Sequence, residues 1–491
     1  MRLALVPLDD RPCHTRFPQR LAELAGAELA LPPRELLGRF LVPGRPDAVL
    51  AWLEGEAPRC DGVAVCGEMA VYGGLVAARI PDTSLEQARQ RVAMLEALLR
   101  RLECPVALGC GITRATITVA SDADRVVYER IARYSELCDL ADAGDSAAVD
   151  ELREIVKLIP EVVLGRFLAA RERNHEVNRA FVELGALSTV KVVVLAQEDC
   201  KPHGLHRREQ RALAELRHGL GLDDKVLIHP GADEASVVLL ARVILEAHGV
   251  RPRLRAEIVP AAGASRVAPY EDRPVRETVA GHLAAVGADA AETDDVALPL
   301  LVVTPPLDDG ERDANDHYGA RREHPEPWVA EVVARLRAAE TPIGLADTCV
   351  DNGAYMPLLR AVRDAGLLDR LAVYSAWNTA GNTLGTAVAF MAVASGLGRP
   401  GADALERFRA ERLMDDGAYQ ALVRGALQRR LEAEGACIHR VEPYQAAEAE
   451  EWLHEELPAT AEREGLVQPG ASWDIVLPWG RTFECDVALR D

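Results

Sequence analysis

Short apolar runs alternate with amphipathic stretches along most of this 491-residue chain. The runs are four to seven residues long and mostly apolar at consecutive positions, which is typical of strands buried on both faces of a parallel sheet. Ten of them are predicted as strands, at residues 3–8, 28–31, 62–66, 105–108, 190–196, 226–229, 255–259, 300–303, 342–345 and 371–374. Between them, apolar residues recur every three to four positions and predict helices, for example at 85–102 behind the cap residue Ser84.

This alternation up to about residue 400 predicts an α/β fold with a parallel sheet under helical cover. Eight of the strands fit a modified (β/α)8-like barrel, in which the strands near residues 30 and 256 are additions. Two doubly wound α/β lobes are the alternative. Residues 1–400 are predicted as the core with a helical insertion at about 122–187, and residues 401–491 as a helical appendage ending in a β-hairpin.

The stretch AVYSAWNTAGNTLGTA at 372–387 joins the last of these strands to an apolar helix through a polar loop. Asn378 and Asn382 offer paired amide donors and acceptors, and Trp377 offers a flat apolar face. Such a loop at the carboxyl end of a strand suits a neutral, polyhydroxylated ligand. A simple helix cap at Asn382 or Thr383 is the structural alternative.

Polar residues follow most of the other strands as well. In parallel strands these ends meet on one face of the sheet, which is where enzymes of this class place their sites. The candidates at strand ends are Asp9, Asp10 and Arg11; Glu68 and Tyr72; Glu198 and Asp199; His229, Asp233 and Glu234; Asp308 and Asp309; and Asp347, Asp351 and Asn352. Each group also has a purely structural explanation as a turn or a helix cap, so convergence in space is the deciding observation.

The adjacent acids Glu198 and Asp199 follow the fourth barrel strand of this scheme. Barrel glycosidases that cleave N-acetylhexosamines carry an acid pair at a similar place, where one acid orients the substrate acetamide and its neighbour is the general acid. By this analogy Asp199 is predicted as the acid and Glu198 as the orienting group, with Asp347 and Asp9 as further catalytic candidates. Neighbouring residues of a strand point to opposite sides, so the pair converges only if the backbone bends.

Within the predicted insertion, the segment RERNHEVNRA places four polar residues on one helical face. Arg171, Asn174, His175 and Asn178 stand at spacings of three, four and seven residues. Asn is a poor helix former, so its double use here favours a function over mere solubility. We predict that this face forms a wall or lid of the substrate pocket, with an ordinary solvated face as the alternative.

Net charge and motifs exclude several classes of function. A net charge of −21 disfavours nucleic-acid and anionic-membrane partners, and no leader resembling a signal peptide is present. The ten cysteines are scattered, which favours a cytoplasmic protein with reduced thiols. No dinucleotide, Walker, nucleophile-elbow or zincin motif occurs, so no cofactor is predicted; a divalent metal among the carboxylates is the alternative.

The segments VPLDDRPCHTRFP, GEMAVYGGL, RERNHEVNRA, SAWNTAGNTLGTA and PWGRTFECDV resemble a bacterial family known as domain of unknown function 4127. The resemblance covers nearly the whole chain, but it implies no catalytic assignment. The residues themselves predict a carbohydrate-active hydrolase, in particular a hexosaminidase-like glycosidase acting on a small saccharide. A metal-dependent hydrolase or isomerase and a non-catalytic sugar-binding protein are the alternatives.

Overall fold

The computed structural model describes residues 1–119, 122–291, 298–305, 326–398 and 401–490. Its strands form two open parallel sheets and two small two-stranded pieces. The predicted α/β class is therefore confirmed. The single barrel is not: within these residues no strand of one large sheet pairs with a strand of the other, and the two-lobe alternative describes the sheets better.

The first sheet has six strands in the order β2-β1-β3-β4-β5-β6. Its strands are β1 (Arg2–Val6), β2 (Glu28–Ala30), β3 (Gly62–Cys66), β4 (Val106–Ile112), β5 (Val190–Gln197) and β6 (Val226–Pro230). All its pairings are parallel. The chain reverses direction across the sheet between β1 and β3, which makes the carboxyl ends of these two strands a topological switch point.

The second sheet is smaller, and its four parallel strands lie in chain order. The remaining strands are β7 (Arg253–Leu254), β8 (Ala256–Val259), β9 (Asp289–Ala290), β10 (Leu300–Val303), β11 (Ile343–Asp347), β12 (Leu371–Ser375), β13 (Trp473–Val476) and β14 (Asp486–Leu489). Strands β8, β10, β11 and β12 form the sheet, β7 pairs with β9, and β13 and β14 form an antiparallel hairpin. The predicted additions near residues 30 and 256 are thus edge strands of the two sheets.

The helices are α1 (Arg16–Leu24), α2 (Pro46–Glu56), α3 (Gly67–Val71), α4 (Leu75–Ala78), α5 (Leu85–Leu99), α6 (Asp122–Asp142), α7 (Ser146–Lys157), α8 (Glu161–Leu184), α9 (Leu205–Gly219), α10 (Ala235–His248), α11 (Val275–Val286), α12 (Val329–Ala338), α13 (Met356–Asp364), α14 (Ala380–Leu397), α15 (Ala402–Arg412), α16 (Arg424–Ala433) and α17 (Pro443–Arg463). Helices α6, α7 and α8 occupy the predicted insertion between β4 and β5. A π-helical segment, Leu413–Val423, joins α15 to α16.

Two apolar helices lie between the sheets and explain why no barrel closes. Helix α10 packs on β3, β4 and β5, helix α14 packs on β11 and β12, and the two helices pack on each other. A helix that is apolar all round must be covered on every side. Helix α14 is long and apolar enough to cross a membrane, but 83% of it is buried inside the protein, which is the pattern of a core helix. The two helices therefore occupy the layer between the sheets and keep them apart.

Candidate functional site

A cleft of about 310 Å³ lies where the carboxyl ends of the two sheets face each other. It is lined by residues that follow β1, β3, β4, β5 and β6 of the first lobe, by residues that follow β8, β11 and β12 of the second, and by the turn of the C-terminal hairpin. The polar and aromatic side chains among them are Arg11, Arg79, Arg114, Thr118, Tyr128, Glu198, Asp199, Asp233, Tyr270, Asn352, Asn378, Thr379, Asn382, Trp479, Arg481 and Phe483. The convergence of strand ends that the sequence predicts therefore does occur, although between two sheets rather than within one.

Arg11 is the most extensively paired side chain of this cleft. Its guanidinium donates to both oxygens of Asp9 at 2.8–3.0 Å and to both oxygens of Asp233 at 2.7 and 3.0 Å. A weaker contact at 3.4 Å reaches Glu484 beside β14. Asn378 of the second lobe donates to the same Asp233 carboxylate at 2.9 Å. These charge-assisted bonds join β1, β6, the β12 loop and the hairpin into one buried network.

The acid pair after β5 converges on one wall, as the glycosidase hypothesis requires. Asp199 has a φ of +20°, so the backbone bends at the position where a regular strand would send the two side chains apart. Glu198 accepts hydrogen bonds from Arg79, and Asp199 pairs with Arg114 at 3.1 Å. Glu198 is almost fully buried, whereas the side chain of Asp199 is 29% exposed toward the cleft. Asp199 is thus the member of the pair that a ligand can touch.

Charges in the cleft are matched in pairs rather than summed to one sign. Arg11 pairs with Asp9 and Asp233, Arg79 with Glu198, and Arg114 with Asp199. Because each guanidinium already has a carboxylate partner, the cleft has no large excess charge to attract an ion. It offers many fixed donors and acceptors instead, and this suits a neutral polar ligand.

Backbone strain is concentrated around the cleft. Five non-glycine residues of the described chain have positive φ, and four of them line the cleft: Asp199, Tyr270, Asn352 and Asn378. Such conformations cost of the order of 1–3 kcal/mol each and persist where the surroundings hold them, often at ligand sites. Asn352 and Asn378 also bond to each other through the backbone, N to O at 2.9 Å. The strain therefore supports this cleft as the functional site independently of its polar residues.

Glu68 lies beside the cleft in a small cavity of about 10 Å³, which it shares with Tyr72, Asn174, Arg79 and Glu198. Its carboxylate accepts the backbone N–H of Gly111. Burial raises the pKa of Glu68 to about 7, and the neighbouring charge of Glu198 acts in the same direction. Glu68 is therefore a buried acid that titrates near neutral pH and lies next to the acid pair.

This raised pKa predicts a pH dependence of stability. A group whose pKa is higher in the folded protein contributes stability that is present below its unfolded value of 4.5 and is lost as pH rises through about 7. Glu68→Gln keeps an acceptor for Gly111 and cannot ionise. We expect it to match the native protein in urea unfolding near pH 5 and to exceed it by up to ~3 kcal/mol at pH 8. Parallel stability profiles of the two proteins between these pH values would show that Glu68 does not titrate there.

The polar face of α8 lies behind the wall of the cleft, not over it. Arg171 donates to the backbone oxygens of Thr113 and Arg114, Asn174 donates to Thr113 Oγ1 at 2.8 Å, and Asn178 donates to the oxygen of Gly111 at 3.1 Å. These bonds hold the loop after β4, from which Arg114 reaches the cleft. The side chain of His175 is half-buried on the same helix and makes no cleft contact. The prediction of a lid is thus replaced by a support, and the solvated-face alternative is wrong.

The loop before α14 behaves partly as a cap and partly as a site. Thr379, not Asn382 or Thr383, is the N-cap, and Asn382 closes the capping box with it. Asn382 and Asn378 nevertheless line the cleft. The ring of Trp377 packs edge-on against Phe17 at 5.6 Å and borders a separate cavity of about 40 Å³. Trp377 therefore does not offer its face to a ligand in the main cleft.

Several predicted site residues have structural surroundings instead. Asp347 accepts the backbone N–H groups of Cys349 and Tyr355 at 3.1 and 2.8 Å in the core of the second lobe, so the prediction that it lines the cleft is wrong. Asp10 lies under the hairpin turn and accepts the indole N–H of Trp479 at 2.6 Å. The remaining ones border the cleft from behind: Tyr72 in the small cavity, Asp9 through Arg11, and Asp351 through a 3.1 Å bond from Asn352. Asp308 and Asp309 lie outside the described residues.

His229 and Glu234 are buried beneath the floor of the cleft and do not line it. The prediction that they bind substrate directly is therefore not supported by their position. Glu234 is linked to the floor through Asn382, whose amide donates to it at 2.7 Å.

Most of the arginines and aromatic residues that line the cleft were not predicted from the sequence. Arg79, Arg114, Tyr270, Trp479, Arg481 and Phe483 line the cleft but were not among the candidates. Trp479 packs against the guanidiniums of both Arg11 and Arg481 at 4.6 and 4.7 Å. The segment PWGRTFECDV gave a signal for three of these residues, because it stands out as a motif far from any strand end of the core.

The fold and the cleft define a two-lobed α/β protein with a ligand-sized cavity between the lobes. The model of the family "Protein of unknown function (DUF4127)" matches residues 3–488, and the chain belongs to this family. The resemblance carried by the sequence motifs is thereby confirmed. Neither the curated proteins nor the solved structures compared with the chain include a match.

Proposed function

We propose that the protein is a carbohydrate-active hydrolase, in particular a glycosidase, that binds a small saccharide or glycoside in the cleft between its lobes. The observation that carries this proposal is the bend at Asp199, which directs two adjacent acids into one wall of a ligand-sized cavity. A paired-carboxylate wall is the usual machinery of glycoside hydrolysis. A hexosaminidase-like substrate with an acetamide group is the finer form of the proposal.

The chemistry of the walls supports this substrate class. The amides of Asn352, Asn378 and Asn382 supply neutral donors and acceptors, and Tyr270 and Phe483 supply apolar surface. The paired charges leave no strong preference for an ionic ligand. Sugars present this mixture of hydroxyl groups and apolar ring faces.

Within the acid pair, the contacts divide the roles. Asp199 is the member of the pair that is exposed to the cleft, and its pairing with the Arg114 guanidinium at 3.1 Å suits a carboxylate that accepts a proton more than one that donates it. We therefore assign Asp199 as the base that takes the proton of the attacking water and passes it on to the departing glycosidic oxygen. Glu198, buried and bound to Arg79, is assigned as the group that fixes the adjacent wall.

A non-catalytic sugar-binding protein is the second candidate, because two α/β lobes around a polar cleft also form a binding device without chemistry.

The cysteines support a cytoplasmic location: all ten are free, as expected in a reducing compartment. We propose that location together with the function.

A panel of aryl glycosides and unmodified disaccharides, assayed for both hydrolysis and thermal stabilisation of the protein, tests the proposal. We expect turnover of at least one glycoside. Stabilisation by a sugar without turnover of its glycosides would favour the binding protein instead, and the absence of both would exclude sugars as ligands.

A further inference from the structure

Three buried side chains meet beneath the floor of the cleft. His229 lies at the end of β6, Glu234 comes just before α10, and His282 lies on α11. One ligand atom of each lies within 4.8 Å of the others, and all three residues are at most 2% exposed. Three separate elements thus direct metal-binding groups toward one point in the interior.

Three of the four imidazole nitrogens of this cluster have no hydrogen-bond partner among the described residues, which is costly at such depth. His229 donates from Nδ1 to the oxygen of Pro230 at 2.9 Å and leaves Nε2 without a partner. Neither ring nitrogen of His282 has a partner in hydrogen-bonding geometry. A buried polar atom that lacks a bond costs about 1–3 kcal/mol. The bond from His229 to a backbone oxygen is also the arrangement by which proteins orient a metal-binding imidazole.

The carboxylates beside these rings lack a cationic partner. Glu234 Oε1 is 3.8 Å from His282 Nε2, and its Oε2 accepts from Asn382. Glu271 lies close by, with one oxygen bound to the N–H of Gly381 and the other without a partner. Among the described residues, no lysine or arginine forms an ion pair with either Glu234 or Glu271. Buried carboxylates are normally paired or coordinate a metal.

We propose that His229, Glu234 and His282 bind one transition-metal ion, with zinc as the best fit. Two imidazoles and one carboxylate form a donor set that suits zinc and its neighbours and does not suit magnesium or calcium, which prefer oxygen. Metal–ligand distances of about 2.0–2.2 Å would draw the three groups slightly closer than they lie here. The proposed site gives the divalent-metal alternative of the sequence analysis a defined position in the structure.

The ion would position the site and take no part in its chemistry. Asn382 lines the cleft and donates to Glu234, so the ion is held one residue away from the ligand. Gly231, also in the floor, has a φ of +106° and lies so close that an added Cβ would meet the Glu234 carboxylate. The metal would thus fix the loop of Asp233 and the start of α14 against each other across the two lobes.

A second buried trio supplies a matched control. Cys200, His206 and Asp272 also lie within 4.8 Å of one another. Asp272, however, already accepts from Gln210 at 2.7 Å and pairs with two arginines, and His206 Nε2 lies 2.8 Å from the oxygen of Lys201. His206 Nδ1 has no partner among the described residues, but the Asp272 carboxylate is fully paired by protein groups, so this trio has less need of an ion.

Metal analysis of the full-length protein tests the proposal without any assay of activity. The protein is loaded with Zn²⁺ or Co²⁺, freed of loose metal by dialysis, and measured for bound metal. We expect about one equivalent in the native protein and in His206→Gln, and less than about a tenth of that in His282→Gln. The Co²⁺ form should show the intense visible absorption of a low-coordinate site, and His282→Gln should lack it.

A second variant guards against loss through misfolding. His229→Gln should lose the metal in the same way, and a chelator should lower the Tm of the native protein while leaving that of either variant unchanged. Native protein that retains less than about a tenth of an equivalent after loading, or variants at both histidines that retain it in full, would overturn the proposal. Because bound metal is measured directly, failure of this proposal is distinct from failure of the glycosidase assignment.

Discussion

Replacing Arg11 by Met is expected to destabilise the folded protein by about 3–5 kcal/mol, because removal of one partner from a buried ion network leaves uncompensated charge behind. Arg11 is 3% exposed and binds Asp9 and Asp233 through both of their oxygens. Burial alone would raise the pKa of Asp233, but Arg11 and His14 hold it below its ordinary value. Without Arg11 the Asp233 carboxylate would lose the guanidinium that stabilises its charge, while its burial would remain.

The loss should depend on pH in a defined direction. In the native protein, the stability that Asp233 contributes is present above its unfolded pKa and is lost on acidification through its lower folded value. In Arg11→Met burial raises the pKa of the freed Asp233 carboxyl, which can then protonate, so the difference between the two proteins should shrink from pH 8 toward pH 4. Urea unfolding across this range measures it.

An exposed ion pair supplies the control for this experiment. Arg166 and Asp82 pair at 2.9 Å with side chains 53% and 61% exposed, so Arg166→Met should cost less than about 1 kcal/mol. A loss for Arg11→Met no larger than that of the control would mean that the network does not stabilise the interface of the lobes.

Asp199→Asn is expected to lower kcat/KM for a glycoside by ~10²–10⁴-fold, the usual contribution of a general base or acid. Asn preserves the shape and much of the contact with Arg114 but cannot accept the proton. Asp199 is proposed to act as a base, so we expect similar losses on an aryl glycoside with a good leaving group and on an unactivated disaccharide.

Comparing the loss of kcat/KM on the two substrates tests whether Asp199 is the base. A loss confined to the unactivated substrate would assign Asp199 as the general acid, since only a poor leaving group needs protonation. A loss below tenfold on both would remove it from the chemistry. Asp347→Asn is the control: it weakens the bonds to Cys349 and Tyr355 and should reduce stability while leaving kcat of the folded protein unchanged.

The local pattern of apolar and polar residues predicts the strands and helices, but it does not predict how the strands assemble into sheets. All ten predicted strands occur, because short runs of consecutive apolar residues between turn residues favour strands buried on both faces. Which strands pair is a long-range matter: nothing in residues 226–230 or 256–259 records that β6 and β8 are edges of different sheets. The apolar character of α14 on every side, and of the first two turns of α10, was the available signal that two layers, and not one barrel, surround them.

For the candidate site too, the sequence predicts some of the residues that line it but not how each of them is oriented. Strand-end position located Arg11, Asp199 and Asn378 because the carboxyl ends of parallel strands converge whatever the sheet closure. Strand-end position also predicted Asp347, whose carboxylate instead accepts backbone N–H groups of its own loop. Only the geometry of the turn distinguishes a residue that lines the cleft from one that caps a loop. Arg114 was missed because β4 extends to Ile112, four residues beyond the predicted strand, which places Arg114 at the strand end. Arg481 was missed because it lies in a segment outside the alternating core.

The hairpin turn that closes the cleft also sets the order in which the site can be made. Glu484 is translated 473 residues after Arg11. At the usual 5–20 residues per second the ribosome needs roughly 20–100 s to span that interval. A nascent chain can therefore build both sheets while Asp10 still lacks Trp479 and one side of the cleft is open. The cleft is complete only once the last strands have been synthesised, so a chain that stops before them would lack the wall that carries Trp479 and Glu484.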